Sequence, residues 1–142
     1  MKIRIINGPN LNMLGIREPE IYGRETYADL EAFVLHSAAA LGVQAEVFQS
    51  NHEGVLVEFI QQSLGAADAI VINPAAYTHT SVAILDALKA VGLPAVEVHL
   101  SDVQAREDFR RVSYPALGCI AVVAGLGFEG YRRAMEILLD SI

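Results

Sequence analysis

Residues 69–72 read AIVI and are the clearest indication of the fold class of this chain. They form a short run with no polar side chain on either face, which is typical of a central parallel strand that is covered on both sides. Working outward from it, we predict further strands at residues 3–6, 43–48, 95–98 and 120–124.

Helical signals alternate with these strands. Apolar residues recur at helical spacing, the capping patterns T-x-x-D and S-x-x-E open the first two segments, and glycines follow the ends. The alternation predicts an α/β fold with a doubly wound, five-stranded parallel sheet in the flavodoxin-like order 2-1-3-4-5, three layers (α/β/α) and a single domain over residues 1–142. The helices are predicted at residues 26–41, 50–64, 82–91, 101–109 and 127–142.

Composition excludes several classes of function. The net charge of −7 leaves no basic stripe for nucleic acid, and the apolar runs are too short to span a bilayer. The start MKIRIINGPN lacks the apolar core of a signal peptide, and Cys119 is the single cysteine, so we expect a cytoplasmic protein without disulfides. The apolar fraction of 53% is high and predicts buried subunit interfaces, hence a homo-oligomer.

A long segment without periodicity follows the first strand. Residues 7–23 read NGPNLNMLGIREPEIYG and place Asn10, Arg17 and Tyr22 on one loop at a strand's carboxyl end. Connections in small α/β domains are usually much shorter, and long ones tend to be binding loops. We therefore predict a lid loop over about residues 8–24 that belongs to an active site.

Polar residues also follow the third and fourth strands. Glu97 and His99 are two apart, so on a strand they share a face, and a carboxylate beside an imidazole makes the ring a better general acid. Asn73 ends strand three, and His79 follows it. A structural role is an alternative both for the Glu–His pair and for His79. Arg106, Arg110 and Arg111 form a basic cluster suited to a small anion.

Several chemistries are disfavoured. There is no G-x-S-x-G motif, and Cys119 borders an apolar strand, which argues against a thiol nucleophile. GLGFEG at residues 125–130 matches a dinucleotide pattern, but no acidic partner follows at the end of a further strand, so we expect a tight turn. A metal site from Glu97, His99 and His79 stays open as a minor alternative, because no recognised ligand motif is present. The residues suit acid–base chemistry on a small polyhydroxylated acid.

These motifs closely resemble the type II 3-dehydroquinate dehydratases. The matching stretches are NGPNLNMLGIREPEIYG, FQSNHEG, INPAAYTHTS, VEVHLSD, AREDFRRVSY and GLGFEGY, which occur in order and cover almost the whole chain. The resemblance implies cofactor-free dehydration of 3-dehydroquinate to 3-dehydroshikimate in the shikimate or quinate routes, with a side chain or backbone amide for each role, so we expect no metal ion to be needed. It also implies assembly as a dodecamer built from trimers.

The resemblance further implies roles for single residues. Tyr22 would be the base that removes the proton α to the ketone, giving an enolate. Arg17 would keep the phenol ionised, and it would stabilise the developing charge together with Arg106. Asn10 would position a water molecule that hydrogen-bonds the enolate.

The second half of the reaction would belong to other residues. His99, oriented by Glu97, would protonate the departing C1 hydroxyl. The substrate-binding residues implied are Asn73 with the backbone amides of Leu100 and Ser101 for the carboxylate, His79 and Arg110 for the hydroxyls, and Asp86 from a neighbouring subunit.

Some positions depart from the family pattern. Asp102 and Gln104 stand where Asn-x-His is more common, Leu85 stands where arginine is common, and residues 115–121 differ from the usual loop. These departures bear on affinity and subunit contacts, not on the reaction. An alternative function is a non-catalytic flavodoxin-like module that binds a small anion or flavin, although GPNLNML lacks the serines and threonines of a flavin phosphate loop.

Overall fold

Five parallel strands form one sheet. The computed structural model describes residues 1–16, 20 and 24–142. Neighbouring strands pair in parallel in the order β2-β1-β3-β4-β5, which confirms the predicted topology. The strands are β1 (Lys2–Asn7), β2 (Gln44–Gln49), β3 (Ala69–Asn73), β4 (Ala95–His99) and β5 (Ala121–Ala124).

Within the described residues, four α-helices connect and flank these strands, and no helix has both the length and the apolar composition to cross a bilayer. The helix predicted over residues 101–109 is wrong in type. Two short 3-10 helices, Val103–Ala105 and Asp108–Arg111, lie there instead, because the segment lacks the recurring apolar face that stabilises an α-helix. The α-helices are α1 (Tyr27–Leu41), α2 (Glu53–Gln62), α3 (Val82–Val91) and α4 (Glu129–Ser141).

One of the two predicted capping boxes is present. The Asp29 backbone N–H donates to Thr26 Oγ1 at 3.2 Å, and the Thr26 N–H donates to the Asp29 carboxylate at 2.9 Å. The second is wrong, because His52 is the residue that precedes α2 and its side chain makes no capping bond. Ser50 Oγ instead accepts the His52 N–H at 3.0 Å and closes a turn after β2.

Two apolar layers cover the sheet. Every residue of β3 is buried, as expected for its central position. Val71 packs with α1 and α4 on one face, whereas Ile70 and Ile72 pack with α2 and α3 on the other. The predicted three-layer arrangement follows, and it leaves the carboxyl edge of the sheet as the place where polar strand ends meet.

Candidate active site

A cleft opens at the carboxyl ends of β1, β3 and β4. It contains about 570 Å³ of space, a figure that includes space open to solvent. Eight of the twelve predicted site residues line it: Asn10, Asn73, His79, His99, Leu100, Ser101, Arg106 and Arg110.

The other four predicted residues lie elsewhere. Glu97 is fully buried behind His99. Asp86 lies on the exposed face of α3, outside the cleft of its own chain. Arg17 and Tyr22 fall outside the described residues.

The Glu97–His99 pair has the predicted geometry. Both residues belong to β4, and His99 Nε2 lies 2.7 Å from Glu97 Oε2, with the His99 side chain 6% exposed and that of Glu97 0%. Because an ionised carboxylate only accepts hydrogen bonds, Nε2 carries the shared hydrogen. Nδ1 is therefore the ring nitrogen that remains for a ligand in the cleft.

Ser113 is a site residue that sequence reasoning missed. Its hydroxyl donates to Glu97, at 2.8 Å from Oε1 and 2.9 Å from Oε2. It also accepts the Ala116 backbone N–H at 3.2 Å. The available signal was indirect: a buried carboxylate needs donors, but sequence spacing alone does not identify them.

A buried network holds Asn73. The Tyr131 hydroxyl on α4 donates to Asn7 Oδ1 at 2.7 Å and accepts from Asn73 Nδ2 at 3.0 Å. Asn73 Oδ1 accepts the Ala75 backbone N–H at 3.1 Å. Because Nδ2 and Oδ1 each have a partner, the orientation of the side-chain amide is fixed. Burial raises the pKa of Tyr131, which keeps its hydroxyl neutral and able to donate. Sequence reasoning missed Tyr131 as well.

His79 is held by the same segment that carries Ser113. Its Nδ1 lies 2.7 Å from the Val112 carbonyl oxygen, so Nδ1 donates and Nε2 is left for other partners. Since His79 lines the cleft, the structure brings it together with His99 as predicted.

The predicted arginine cluster divides into two parts. Arg106 and Arg110 line the cleft, and Glu107 accepts from Arg110 Nε at 2.7 Å. Arg111 is half exposed and pairs with Asp108 at 3.5 Å, outside the cleft lining. Two cations therefore face the space where an anionic ligand would lie.

The helix N-terminus expected after Ser101 is not that of an α-helix. Only the three-residue 3-10 helix Val103–Ala105 follows, and such a turn has too few aligned peptides for a strong dipole. Positive charge in this part of the cleft comes from Arg106 and Arg110 instead.

Backbone strain is concentrated at the cleft. Among the described residues, Asn10 (φ 70°) and Ala75 (φ 52°) are the two non-glycine residues with positive φ, and both line it. The Asn10 backbone N–H donates to Asn51 Oδ1 at 3.0 Å, which helps to hold this conformation. Such strain is common at binding sites, where the surrounding structure maintains it.

Cys119 should be chemically inert in the folded protein. Burial, with a further contribution from the charge of Glu97, raises the pKa of its thiol to about 12. At pH 8 only about one thiol in ten thousand would then be ionised, and the thiolate is the reactive form. We expect iodoacetamide to label the urea-unfolded chain quickly and the native chain far more slowly. Equal rates would contradict this account.

No metal-binding group is found in the part of the chain that the structure describes. There, no three or more His, Cys, Asp and Glu side chains converge. Glu97 and His99 bond each other, and His79 is held by Val112. The metal alternative therefore gains no support from these residues.

Comparison with known proteins agrees with this geometry. The family model "Dehydroquinase class II" matches residues 1–139. A "3-dehydroquinate dehydratase" of Clostridium acetobutylicum is 52% identical over 142 residues, which cover 100% of this chain and 99% of that one. A "Catabolic 3-dehydroquinase" of Verticillium alfalfae is 57% identical over 95% of this chain and 90% of its own length.

Solved structures show the same likeness. The crystal structure of a type II dehydroquinase from Butyrivibrio crossotus superposes with a TM-score of 0.96 at 45% identity, covering 98% of this chain and 97% of that one. A family model that spans nearly the whole chain, with relatives above 50% identity, establishes membership. The chain belongs to the class II dehydroquinase family.

Proposed function

We propose that this protein is a lyase that dehydrates 3-dehydroquinate to 3-dehydroshikimate. The observation that carries the proposal is the His99–Glu97 pair, buried and hydrogen-bonded at 2.7 Å, at a cleft that Arg106 and Arg110 also line. It supplies an oriented acid and an anion site together, which a dehydration of a small acid requires. The relatives' names, dehydratase and catabolic 3-dehydroquinase, agree with this reaction.

The first step is removal of the proton α to the ketone by Tyr22. No tyrosine among the described residues lines the cleft, and burial raises the pKa of Tyr27 and Tyr131, which makes both poor bases. A base from the segment that carries Tyr22 fits these facts. Arg17 and Arg106 stabilise the phenolate and the enolate, and Asn10 holds the water that hydrogen-bonds the enolate oxygen.

The second step is departure of the C1 hydroxyl. The enolate electrons re-form the ketone and the conjugated double bond, the C–O bond breaks, and His99 Nδ1 gives its proton to the leaving oxygen as water forms. Glu97 keeps the ring oriented and balances its positive charge.

Substrate orientation falls to the remaining cleft residues. Asn73 Nδ2 donates one hydrogen to Tyr131, which leaves its second hydrogen for the substrate carboxylate, next to the backbone amides of Leu100 and Ser101. The substrate's ring hydroxyls lie at His79 and Arg110.

The protein should assemble into a large homo-oligomer, a dodecamer built from trimers. Apolar side chains are exposed around the edge strand β5, including Leu117, Ile120, Val122 and Leu126, and Asp86 is exposed on α3. We expect light scattering to give a mass near twelve chains and Asp86→Ala to keep that mass while losing turnover, because Asp86 completes a neighbour's site. A fully active monomer would contradict the proposal.

Activity should not depend on a metal ion. Each chemical role has a side chain or backbone amide to fill it, so we expect dialysis against a strong chelator to leave kcat unchanged. Loss of turnover that one divalent ion restores would instead favour a site made from Glu97, His99 and His79.

The direct test of the proposed function is spectroscopic. Purified protein mixed with 3-dehydroquinate should produce the absorbance of a conjugated enone, and substrate alone should not. The alternative, a flavin-binding module, predicts a visible absorbance band from the purified protein and no enone formation.

A further inference from the structure

We propose that Ser113 is a positioning residue for the acid step, acting on His99 through Glu97. The inference rests on the proposed function in one respect, that His99 delivers the proton to the leaving hydroxyl. It assigns a specific task to a side chain that does not line the cleft.

The direction of the Ser113 hydrogen bonds supports this role. Oγ accepts the Ala116 N–H at 3.2 Å, and its own hydrogen is directed at the Glu97 carboxylate, 2.8 and 2.9 Å away. Glu97 Oε2 therefore accepts hydrogen bonds from both Ser113 and His99, whereas Oε1 accepts one from Ser113. The serine therefore holds both carboxylate oxygens, including the one that bonds the His99 ring.

The segment that carries Ser113 is anchored on both sides. The Val112 carbonyl oxygen accepts from His79 Nδ1, and the Tyr114 N–H donates to the Thr78 carbonyl oxygen at 3.1 Å. One short stretch of chain thus positions a cleft histidine directly and a second histidine through Glu97.

Burial makes the Ser113 hydroxyl important. Glu97 is 0% exposed, and an ionised carboxylate away from water must be compensated by donors. Without Ser113 the carboxylate can rotate, or it can take the proton from His99 Nε2 and leave a neutral ring. Either change reduces the population of correctly oriented imidazolium. The other ionisable groups around the pair are Cys119, His79, Arg106 and Arg110.

The test separates dehydration from α-proton exchange. We expect Ser113→Ala to lower kcat for dehydration about ten- to hundredfold, with KM changed less than about threefold. In 2H2O, two rates are compared: deuterium exchange into the remaining substrate and formation of product. The ratio of the first rate to the second should rise by about tenfold, because the enolate still forms but loses its hydroxyl slowly. Ser113→Thr keeps a hydroxyl and should recover much of the loss.

Ser63→Ala is the matched control. Ser63 is also fully buried, its hydroxyl donates to the Phe59 carbonyl oxygen at 2.8 Å, and it does not line the cleft. It should leave both the turnover and the exchange ratio as in the parent protein. Thermal unfolding of each variant shows whether a loss of turnover comes from misfolding. If Ser113→Ala misfolds, the turnover and the exchange ratio of Ser113→Thr test the inference instead.

A double variant completes the argument. In a His99→Ala background, Ser113→Ala should cause no further loss of dehydration, because the path through His99 is already gone. The inference is overturned if Ser113→Ala leaves kcat and the exchange ratio unchanged, or if its effect persists without His99. If His99→Ala itself dehydrates normally, the proposed function of His99 fails instead, so the two failures are distinguishable.

Discussion

Tyr22→Phe is expected to bind 3-dehydroquinate and to turn it over at least about a thousandfold more slowly. The substitution removes one oxygen, and that oxygen is the proposed base for the α-proton. The aromatic ring remains, so the change is confined to the hydroxyl. Calorimetric titration measures the binding, and enone absorbance measures the turnover.

Tyr27→Phe is the control for this variant. The Tyr27 hydroxyl accepts from Asn7 Nδ2 at 3.3 Å, and burial raises its pKa, so it should contribute to stability and not to proton abstraction. Activity of the parent protein should rise with pH as the proposed Tyr22 base ionises. Arg17→Ala should move this rise to higher pH, because the proposed role of Arg17 is to favour the phenolate. Substantial turnover by Tyr22→Phe would mean that another residue is the base.

His99→Ala is expected to have the second largest effect, a loss of dehydration of about a hundred- to ten-thousandfold. The variant removes the proposed acid for the C1 hydroxyl, so loss of the hydroxyl from the proposed enolate should become slow. Glu97→Gln should cause a smaller loss, since the ring stays in place but lacks its balancing charge. Steady-state enone formation measures both variants.

His36→Ala is the matched control for the histidine. His36 is exposed on α1 and does not line the cleft, so its loss should leave kcat unchanged. If His36→Ala and His99→Ala behaved alike, the acid role given to the Glu97–His99 pair would be untenable.

The sheet was predictable because the pattern of apolar and polar residues in a strand depends on how many of its faces are buried. A central run such as residues 69–72 has no polar face, so it can only lie between two layers of helices. The helix predicted over residues 101–109 was wrong because Ser101 and Gln104 have the spacing of a helix N-terminal cap although no α-helix follows. Capping patterns are local, whereas a short helix depends on an apolar face that this segment lacks.

Strand ends likewise predicted much of the site. The carboxyl ends of β3 and β4 carry Asn73, Glu97 and His99, as predicted. Asn73 and His99 line one cleft, and Glu97 is buried behind His99. Ser113 and Tyr131 were missed because they reach the site by tertiary folding. Ser113 meets Glu97 across 16 residues, and Tyr131 meets Asn73 across 58. No local pattern records such contacts, and only the need to satisfy buried polar groups hints at them.

The central claim is tested by deuterium exchange into unreacted 3-dehydroquinate. The exchange is measured by mass spectrometry in 2H2O for two variants, Tyr22→Phe and His99→Ala. The claim is that Tyr22 forms an enolate before His99 releases the hydroxyl. The account predicts that His99→Ala still exchanges the α-proton while forming little product, and that Tyr22→Phe does neither. Loss of exchange in both variants, with substrate binding intact, would contradict the stepwise division of labour.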